Sequence, residues 1–458
     1  MNGVIHIKLM LSLLVVMLLG VATLLPAQTS VTTTAAVSQA RDPGVRGGDP
    51  GAGGEIRGLT ARQLKFFTAG KEEFEQIDDI PEGLGPRMNL DSCGGCHAQP
   101  ATGGTSPAMN PQVAFASTKD GVPFFISLDG PVREARFKFK PDGRRDGGVH
   151  NTATITGRPG APAACQLDLP DFGGAAATNN LIFRIPTPVF GAGLIEQIPD
   201  RVIEANQAAH AAIKQALGIA GRPNRNGNDG TIARFGWKAQ NQSLLLFSGE
   251  AYNVEMGITN ELFQQEREQD PSCQSVPVPP VPNNVTDTEV TTTPDGLSAI
   301  EKFAFFQRFL APPTPSHDTP GGWDSIRRGR YLFVGIGCAL CHTPTLTTGD
   351  STVAALSHQR VHLFSDLLLH NMGPGLADNI LQGQAQGDEF RTAPLWGLAQ
   401  RIFFLHDGRT DDLLVAIQAH KSAGNAEFRR SEANAVINNF NNLNENQKQD
   451  VLNFLRSL

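Results

Sequence analysis

Two segments of the chain share the pattern Cys-x-x-Cys-His, at residues 93–97 and 338–342. This pattern attaches a c-type haem: the two thiols form thioethers with the porphyrin, and the adjoining imidazole binds the iron. The alternative is half of a zinc site, which needs four ligands from two clusters. A histidine directly after the second cysteine in both copies favours haem, so the sequence predicts two covalently bound haem c groups. Their predicted attachment and iron-binding residues are Cys93, Cys96, His97, Cys338, Cys341 and His342.

The N-terminal residues indicate export. Lys8 precedes an apolar run at residues 9–25, and a small-residue cleavage region follows at residues 26–28. We expect residues 1–28 to be a cleaved signal peptide. The alternative is an uncleaved membrane anchor, although the run is short for the ~20 residues of a span. Both interpretations place the mature chain in the periplasm, and only the second ties it to the membrane.

Two cysteines, Cys165 and Cys273, lie outside the haem motifs. An even remainder in an exported protein predicts one disulfide that closes a long loop. Two unpaired buried thiols are the alternative. Neither cysteine belongs to a paired redox motif, so a catalytic thiol is not expected.

Composition divides the 458 residues into regions. The formal net charge of -7, with no basic run, argues against a nucleic-acid partner. Residues 29–55 are rich in Thr, Ala, Gly and Pro and are predicted to be a flexible linker. A proline-rich stretch at residues 311–315 ends a helical pattern. We therefore predict an N-terminal haem c domain at residues 56–315 and a C-terminal cytochrome c-like domain at residues 316–458.

The C-terminal region has the layout of a small cytochrome c. A helix from about Asp324 leads into the second motif, and Gly329 and Phe333 lie four apart on one of its faces. A second helix, at residues 444–458, closes the chain. Since glycine allows two helices to cross closely, we expect these helices to cross at Gly329, with Phe333 filling the space beside the crossing.

The N-terminal region mixes helices with loops and short strands. Thr60 and Gln63 form a capping box that begins a helix beside the first haem, and residues 200–217 and 296–310 are helical by pattern. Four apolar runs bounded by Gly, Pro or Asn predict strands. They are residues 112–116, 124–128, 180–185 and 243–247. The predicted fold is mainly α, with two cytochrome c-like haem domains, of which the N-terminal one carries a large loop- and strand-rich insertion.

Further segments resemble a known family. They are residues 92–97 with Gly103-Gly104 behind them, and residues 190–196, 234–240, 366–373, 390–398 and 404–409. Together they resemble the di-haem oxidoreductase branch, also called thiol oxidoreductase-like, of the superfamily of bacterial di-haem cytochrome c peroxidases and MauG. The resemblance runs from about residue 58 to the end. The long middle of the chain is peculiar to this branch, so the family implies least about mechanism there.

The resemblance places a sixth iron ligand in the helix that follows the His-Asp-Gly turn at residues 406–408. The corresponding position is at or near His420, which shares a helix face with Leu413 and Ala416. Met372 is the alternative, because it stands in a Gly- and Pro-rich loop of the kind that supplies methionine in single-domain cytochromes c. We interpret His406 as a propionate or structural hydrogen-bond donor.

The surroundings of the N-terminal iron are less defined. His150, Met109 and Met256 are candidate ligands without decisive spacing. A peroxidatic site also needs an acid–base residue, and Glu196 is the candidate, with a surface carboxylate as the structural alternative. The resemblance implies that Trp237 lies between the haems as an electron conduit, and a plain core tryptophan is the alternative.

Three functions are consistent with these features. The first is a periplasmic di-haem peroxidase that passes electrons from a small donor protein, a cytochrome c or cupredoxin, through the C-terminal haem to the N-terminal haem for reduction of hydrogen peroxide. The second is a pure electron carrier with two six-coordinate irons. The third is a MauG-like oxidoreductase that acts on a protein. More than two hundred residues between the motifs favour an enzyme, because a carrier needs only about one hundred residues per haem.

Overall fold

The computed structural model describes residues 39–458, apart from residues 87, 89, 116–121, 147–159, 166–169, 266–270, 274–293, 317 and 319–320. The predicted signal peptide, the first part of the predicted linker and the candidate ligand His150 lie outside the described residues. Among the helices that are described, none is both long and apolar enough to cross a membrane.

Helices dominate the described part of the chain, and strands are only two to four residues long. The fold is therefore mainly α, as predicted. The α-helices are α1 (Ala61–Glu75), α2 (Cys93–Cys96), α3 (Gln112–Phe115), α4 (Phe172–Ala177), α5 (Ala192–Glu196), α6 (Asp200–Ala208), α7 (Ala211–Leu217), α8 (Leu244–Met256), α9 (Ala299–Phe309), α10 (Gly322–Gly335), α11 (Leu413–Ala419), α12 (Asn434–Asn441) and α13 (Glu445–Leu455). The antiparallel strand pairs are β1 (Glu134–Phe137) with β2 (Leu181–Arg184), β3 (Asn224–Arg225) with β4 (Ile232–Ala233), β5 (Leu346–Thr347) with β6 (Arg360–Val361), and β7 (Leu369–Asn371) with β8 (Glu389–Arg391).

Capping boxes begin three of the long helices. The side chains of Thr60, Ser298 and Asn444 each accept a hydrogen bond from the backbone three residues later, and the Gln or Glu at that position bonds back to the cap. This exchange satisfies two backbone N–H groups that a helix start leaves unpaired. The helix predicted from Thr60 is confirmed, and the helices predicted at residues 296–310 and 444–458 are observed as α9 and α13.

Several element predictions were wrong. Residues 112–115 form α3, and residues 244–247 form the first turn of α8, where strands were predicted. The reason is the cap: the Ser243 hydroxyl accepts from the N–H of Leu246 at 3.2 Å, and the run after it lacks the alternation of a strand. Residues 200–217 form two helices, because His210 between them has a left-handed φ of 58°. The strand predicted at residues 180–185 is observed as β2.

Helices α1 and α9 pack closely beside the first Cys-x-x-Cys-His motif. A Cβ atom added to Gly70 of α1 would lie 2.3 Å from the carbonyl oxygen of Lys302 in α9. This close approach brings Phe74 against Phe306, with ring centroids 4.9 Å apart. Phe74 also contacts the His97 ring at 5.8 Å, so the helix pair supports the first motif, as predicted for α1.

Helices α10 and α13 cross in the same manner beside the second motif. A Cβ atom added to Gly329 would lie 1.9 Å from the carbonyl oxygen of Asp450. Phe333, one turn later, packs against Phe454 at 5.4 Å and against His342 at 6.4 Å between ring centroids. The predicted crossing at Gly329 is confirmed, and it holds Phe333 against the His342 ring.

The hydrophobic core has two large clusters, one around each motif. The cluster around the first motif also contains side chains from the predicted C-terminal domain, among them Leu346, Leu363 and Trp396. The two predicted domains therefore share this core.

Cys165 and Cys273, 108 residues apart, are joined by a disulfide.

Candidate haem sites

The first motif forms a single helical turn, α2, that presents His97 at its end. The Ser92 side chain caps this turn by accepting from the N–H of Gly95 at 3.0 Å. His97 Nδ1 lies 2.8 Å from the carbonyl oxygen of Gly104. Because a carbonyl only accepts, Nδ1 carries the proton and Nε2 keeps a free lone pair for a metal. Burial lowers the pKa of His97 to about 4, which keeps this ring neutral at pH 7.

The second motif repeats this chemistry on a 3-10 turn at Cys338–Leu340. His342 Nδ1 donates to the carbonyl oxygen of Phe364 at 3.0 Å, which again leaves Nε2 free. Burial and the nearby His420 together lower the pKa of His342 to about 4. A backbone carbonyl on the second ring nitrogen is the usual way in which a protein orients a metal-binding histidine. Both motifs therefore fit proximal ligation of a haem iron.

An apolar cavity opens beside His342, and both predicted sixth ligands, His420 and Met372, line it. His420 follows the last residue of α11, and its Nδ1 donates to the carbonyl oxygen of Ala416 at 2.8 Å. Its Nε2 is therefore also available to a metal. Burial lowers the pKa of His420, so this ring too is neutral. The geometry brings His342, His420 and Met372 to one cavity and favours His420, whose tautomer is set for ligation.

Two buried arginines, Arg391 and Arg401, also line this cavity. Burial lowers the pKa of Arg401 to about 10, and burial together with the neighbouring Arg401 lowers the pKa of Arg391 to about 10. Arg391 donates to the carbonyl oxygens of Gly236 and Thr392, and no carboxylate among the described residues forms a salt bridge with either guanidinium. Two buried cations without an anion require a counter-charge. Haem propionates would supply it, so the cavity fits the predicted group in charge.

His370 was missed by the sequence reasoning and is a buried part of the same wall. Its Nδ1 lies 2.8 Å from Glu432 and its Nε2 2.9 Å from Asp366. Burial lowers the pKa of His370, but Cys341 and Asp366 outweigh burial and raise this pKa well above the usual value. Cys341 Sγ, Asp366 and His370 lie within 4.8 Å of one another, as in a metal site. Because Cys341 is a predicted thioether to haem, this group belongs to the haem site.

A second cavity opens beside His97, and its wall carries charge. Glu134, Arg136 and Glu255 line it, and Arg136 forms an ion pair with Glu134. Burial and the nearby Glu134 together raise the pKa of Glu255 to about 8, against the opposing effect of Arg136. A carboxyl group with a pKa near neutrality can both hold and release a proton.

Glu196, the predicted acid–base residue, lies elsewhere. Its carboxylate bonds Arg308 Nε at 2.8 Å and accepts from the N–H of Leu244 at 2.9 Å, at the start of α8. It does not line the cavity beside His97. The structure therefore gives Glu196 an anchoring contact and points to Glu255 instead. Glu255 was missed because the start of α8 was predicted to be a strand; the helical spacing of Tyr252 and Glu255 was the available signal.

Trp237 lies in the walls of both cavities. Its indole N–H donates to the carbonyl oxygen of Ile185 at 2.9 Å, which holds the ring in place. His406 lines the C-terminal cavity and meets Trp237 edge to face, 6.4 Å between centroids. Burial lowers the pKa of His406 to about 4, so it is neutral. The arrangement suits the predicted position of Trp237 between two haems.

Of the two methionines predicted near the N-terminal iron, only one lines the cavity beside His97. Met109 is 67% exposed and does not line the cavity. Met256 lines the cavity, with its Sδ 3.8 Å from Cys93 Sγ. Cys93 is predicted to hold the haem covalently, so Met256 would contact the attachment site rather than serve as a distant residue. The described wall of the N-terminal cavity therefore contains the acid–base groups Glu134, Arg136 and Glu255, whereas the C-terminal cavity contains His420.

Comparison with known proteins identifies the family. Residues 178–458 match the family model described as "Di-haem oxidoreductase, putative peroxidase". No curated protein matches the chain. Solved structures similar to it include hydrazine synthase from Kuenenia stuttgartiensis (18% identity, 35% of this chain and 55% of that chain, TM-score 0.23), a MauG-like protein associated with microbial copper homeostasis (17%, 64% and 95%, 0.30), and a variant of the di-haem peroxidase BthA from Burkholderia thailandensis E264 (15%, 91% and 95%, 0.38).

The chain thus spans 55% of the length of that hydrazine synthase chain. The family match covers more than half of the 458 residues and includes the second Cys-x-x-Cys-His motif. The chain belongs to the di-haem oxidoreductase family.

Proposed function

We propose that this protein is a periplasmic di-haem c-type peroxidase. It takes electrons from a small donor protein, a cytochrome c or cupredoxin, at the C-terminal haem and reduces hydrogen peroxide at the N-terminal haem. Peroxide takes up two electrons and two protons and yields two water molecules. The bound haems supply the electron storage and the redox chemistry, and the protein sets access, ligands and field.

The contrast between the two cavities carries this proposal. His420 stands ready as a sixth ligand in the C-terminal cavity, and a strong sixth ligand is typical of an electron-transfer haem. The described wall of the N-terminal cavity presents Glu255, Glu134 and Arg136 instead. A site that must move protons needs such groups, and a site that only transfers electrons does not. The contrast supports a division of labour between an electron-entry site and a peroxide site.

Glu255 is the proposed acid–base residue. Its raised pKa, about 8, keeps the carboxyl group protonated at pH 7 and lets it exchange that proton with peroxide oxygens. Arg136, ion-paired with Glu134, holds a positive charge in the same wall, which favours anionic species formed from peroxide. Trp237, in the walls of both cavities, is proposed to carry electrons between the sites.

The exposed face of α10 is the proposed docking face for the electron donor. Trp323 is 58% and Tyr331 71% exposed, and Arg327 and Arg330 are exposed on the same helix. Exposed aromatics beside arginines are typical of protein interfaces. The helix leads into Cys338, so a partner on this face would sit close to the C-terminal haem. A basic face on a chain of net charge -7 would attract an acidic partner.

The experiment compares the oxidised and half-reduced protein by optical and electron-spin spectroscopy and then measures peroxide turnover. We expect peroxide turnover, together with the spectrum of a haem whose sixth coordination position is open or can be vacated. Glu255→Gln should lower turnover by about 100-fold or more, whereas Glu196→Gln, the matched carboxylate outside the cavity, should leave it nearly unchanged. Two low-spin haems that do not respond to half-reduction or peroxide would contradict the proposal and leave a pure electron carrier. Inactivity toward peroxide with oxidation of a protein substrate would favour the MauG-like alternative.

A further inference from the structure

Lys238, next to Trp237 in the chain, is a fully buried cation with a complete set of oxygen partners. Its side chain is 0% exposed. The ammonium group donates to the carbonyl oxygens of Gln386 at 2.8 Å and Glu389 at 2.9 Å, and lies 3.0 Å from Asp378 Oδ1. Burial lowers its pKa to about 8, against the favourable charge of Asp378, so Lys238 carries its charge at pH 7.

On one side, this charge connects to the N-terminal cavity. Asp378 is also fully buried, and its Oδ2 accepts from Arg184 Nη2 at 2.7 Å. Arg184 lines the cavity beside His97. One carboxylate is therefore shared by two buried cations. Asp388 is the other acidic group in range of Lys238, and burial raises its own pKa.

On the other side, Lys238 connects to the C-terminal cavity through aromatic rings. Its Nζ lies 4.1 Å from the centroid of the Phe390 ring. That ring stacks on His406 with centroids 4.3 Å apart and an angle of 26°. His406 and Phe390 both line the cavity beside His342. Lys238 thus lies between the two cavities: Phe390 separates it from the C-terminal cavity, and Asp378 and Arg184 connect it to the N-terminal cavity.

We propose that Lys238 is a positioning residue whose buried charge raises the reduction potentials of both haems. Ferrous haem carries one positive charge fewer than ferric haem, so a nearby cation favours the reduced form. In a buried, low-dielectric region such a charge acts over a longer distance than it would at the surface, and net charge near a haem is one of the factors that set its potential. The inference depends on the two haems and is independent of peroxide as substrate.

The test is spectroelectrochemical titration of the haem-loaded full chain. Lys238→Met removes the charge, and Lys238→Gln also removes it while retaining an amide donor for the carbonyl oxygens. Both neutral variants should shift both midpoint potentials to more negative values. Lys238→Arg, which retains the charge, should restore values close to those of the unmodified protein, and Lys65→Met, at an exposed lysine, should leave them unchanged.

Unchanged potentials in the folded neutral variants would overturn the proposal, as would a shift in Lys238→Arg as large as in Lys238→Met. Loss of haem or of folding in both neutral variants, with Lys238→Arg intact, would also overturn it, because Lys238 would then act only in folding. A negative shift of both midpoint potentials without loss of peroxide turnover would support the inference. Loss of turnover without a shift of either potential would contradict the inference about Lys238 but not the proposed peroxidase function.

Discussion

Replacing Gly329 with alanine tests the helix crossing that supports the C-terminal haem. The new Cβ would lie 1.9 Å from the carbonyl oxygen of Asp450 and 2.8 Å from Phe454 Cβ, where an ordinary contact begins at 3.4 Å. The α10 and α13 backbones would have to separate by roughly 1.5 Å, the difference between the first and last of these distances. Overpacking of this kind costs about 1–3 kcal/mol, and gaps beside Phe333 forfeit further dispersion energy.

Alanine also favours the helical state by about 1 kcal/mol relative to glycine, which offsets part of the loss. We therefore expect Gly329→Ala to lower the free energy of unfolding by about 2 kcal/mol. Gly335→Ala in the same helix is the matched control, because an added Cβ there meets nothing within 4 Å. It should gain up to about 1 kcal/mol, so the two variants should differ by about 3 kcal/mol.

The assay is urea unfolding of the haem-loaded protein, followed by Soret absorbance and far-ultraviolet circular dichroism. Because Phe333 contacts His342, the Soret band of the C-terminal haem should report the weakened crossing. Equal midpoints for Gly329→Ala and Gly335→Ala would refute the reasoning, since they would show that the helices do not approach closely at Gly329.

Three further predictions concern the haem sites. His420→Ala should convert the C-terminal iron to high spin in the electron-spin spectrum, whereas Met372→Leu should not; the reverse result would transfer ligation to Met372. Burial lowers the pKa of His406 to about 4 in the folded protein, so between about pH 6.5 and pH 4 only the unfolded chain binds the proton. Acidification through this range should therefore lower the free energy of unfolding by up to about 3 kcal/mol. Denaturant midpoints of His406→Gln should depend less on pH in this window, and an unchanged dependence would argue against it. Arg327→Glu combined with Arg330→Glu should slow reduction by an acidic cupredoxin and weaken its dependence on salt, without changing reduction by dithionite; stopped-flow traces equal to those of the unmodified protein would contradict the proposed docking face.

Local patterns predicted the parts of the site that chemistry places close together in sequence. The spacing of Cys93 and Cys96 from His97, repeated at the second motif, predicts haem attachment from five consecutive residues. Gly329 and Phe333 lie on one helix turn, so their shared face followed from helical periodicity. The capping box at Thr60 likewise needs only residues within one turn.

The groups that line the cavities from distant parts of the chain were not predictable in this way. Lys238 meets Asp378 across 140 positions of sequence, and nothing in the local pattern of either residue names the other. Glu255 was not predicted because a strand was expected where α8 begins. Ser243 caps this helix start, and the apolar run after it is helical. No local pattern marks Arg401 as buried; tertiary packing buries it, and no carboxylate among the described residues forms a salt bridge with it.

The central claim is that each cavity holds a covalently attached haem. Intact-mass spectrometry combined with a pyridine haemochrome assay tests it, on protein made in cells competent for cytochrome c maturation. We expect two haem increments per chain, and one increment in each of the double variants Cys93→Ala with Cys96→Ala and Cys338→Ala with Cys341→Ala. A colourless protein, or one whose mass carries no haem at either motif, would contradict it.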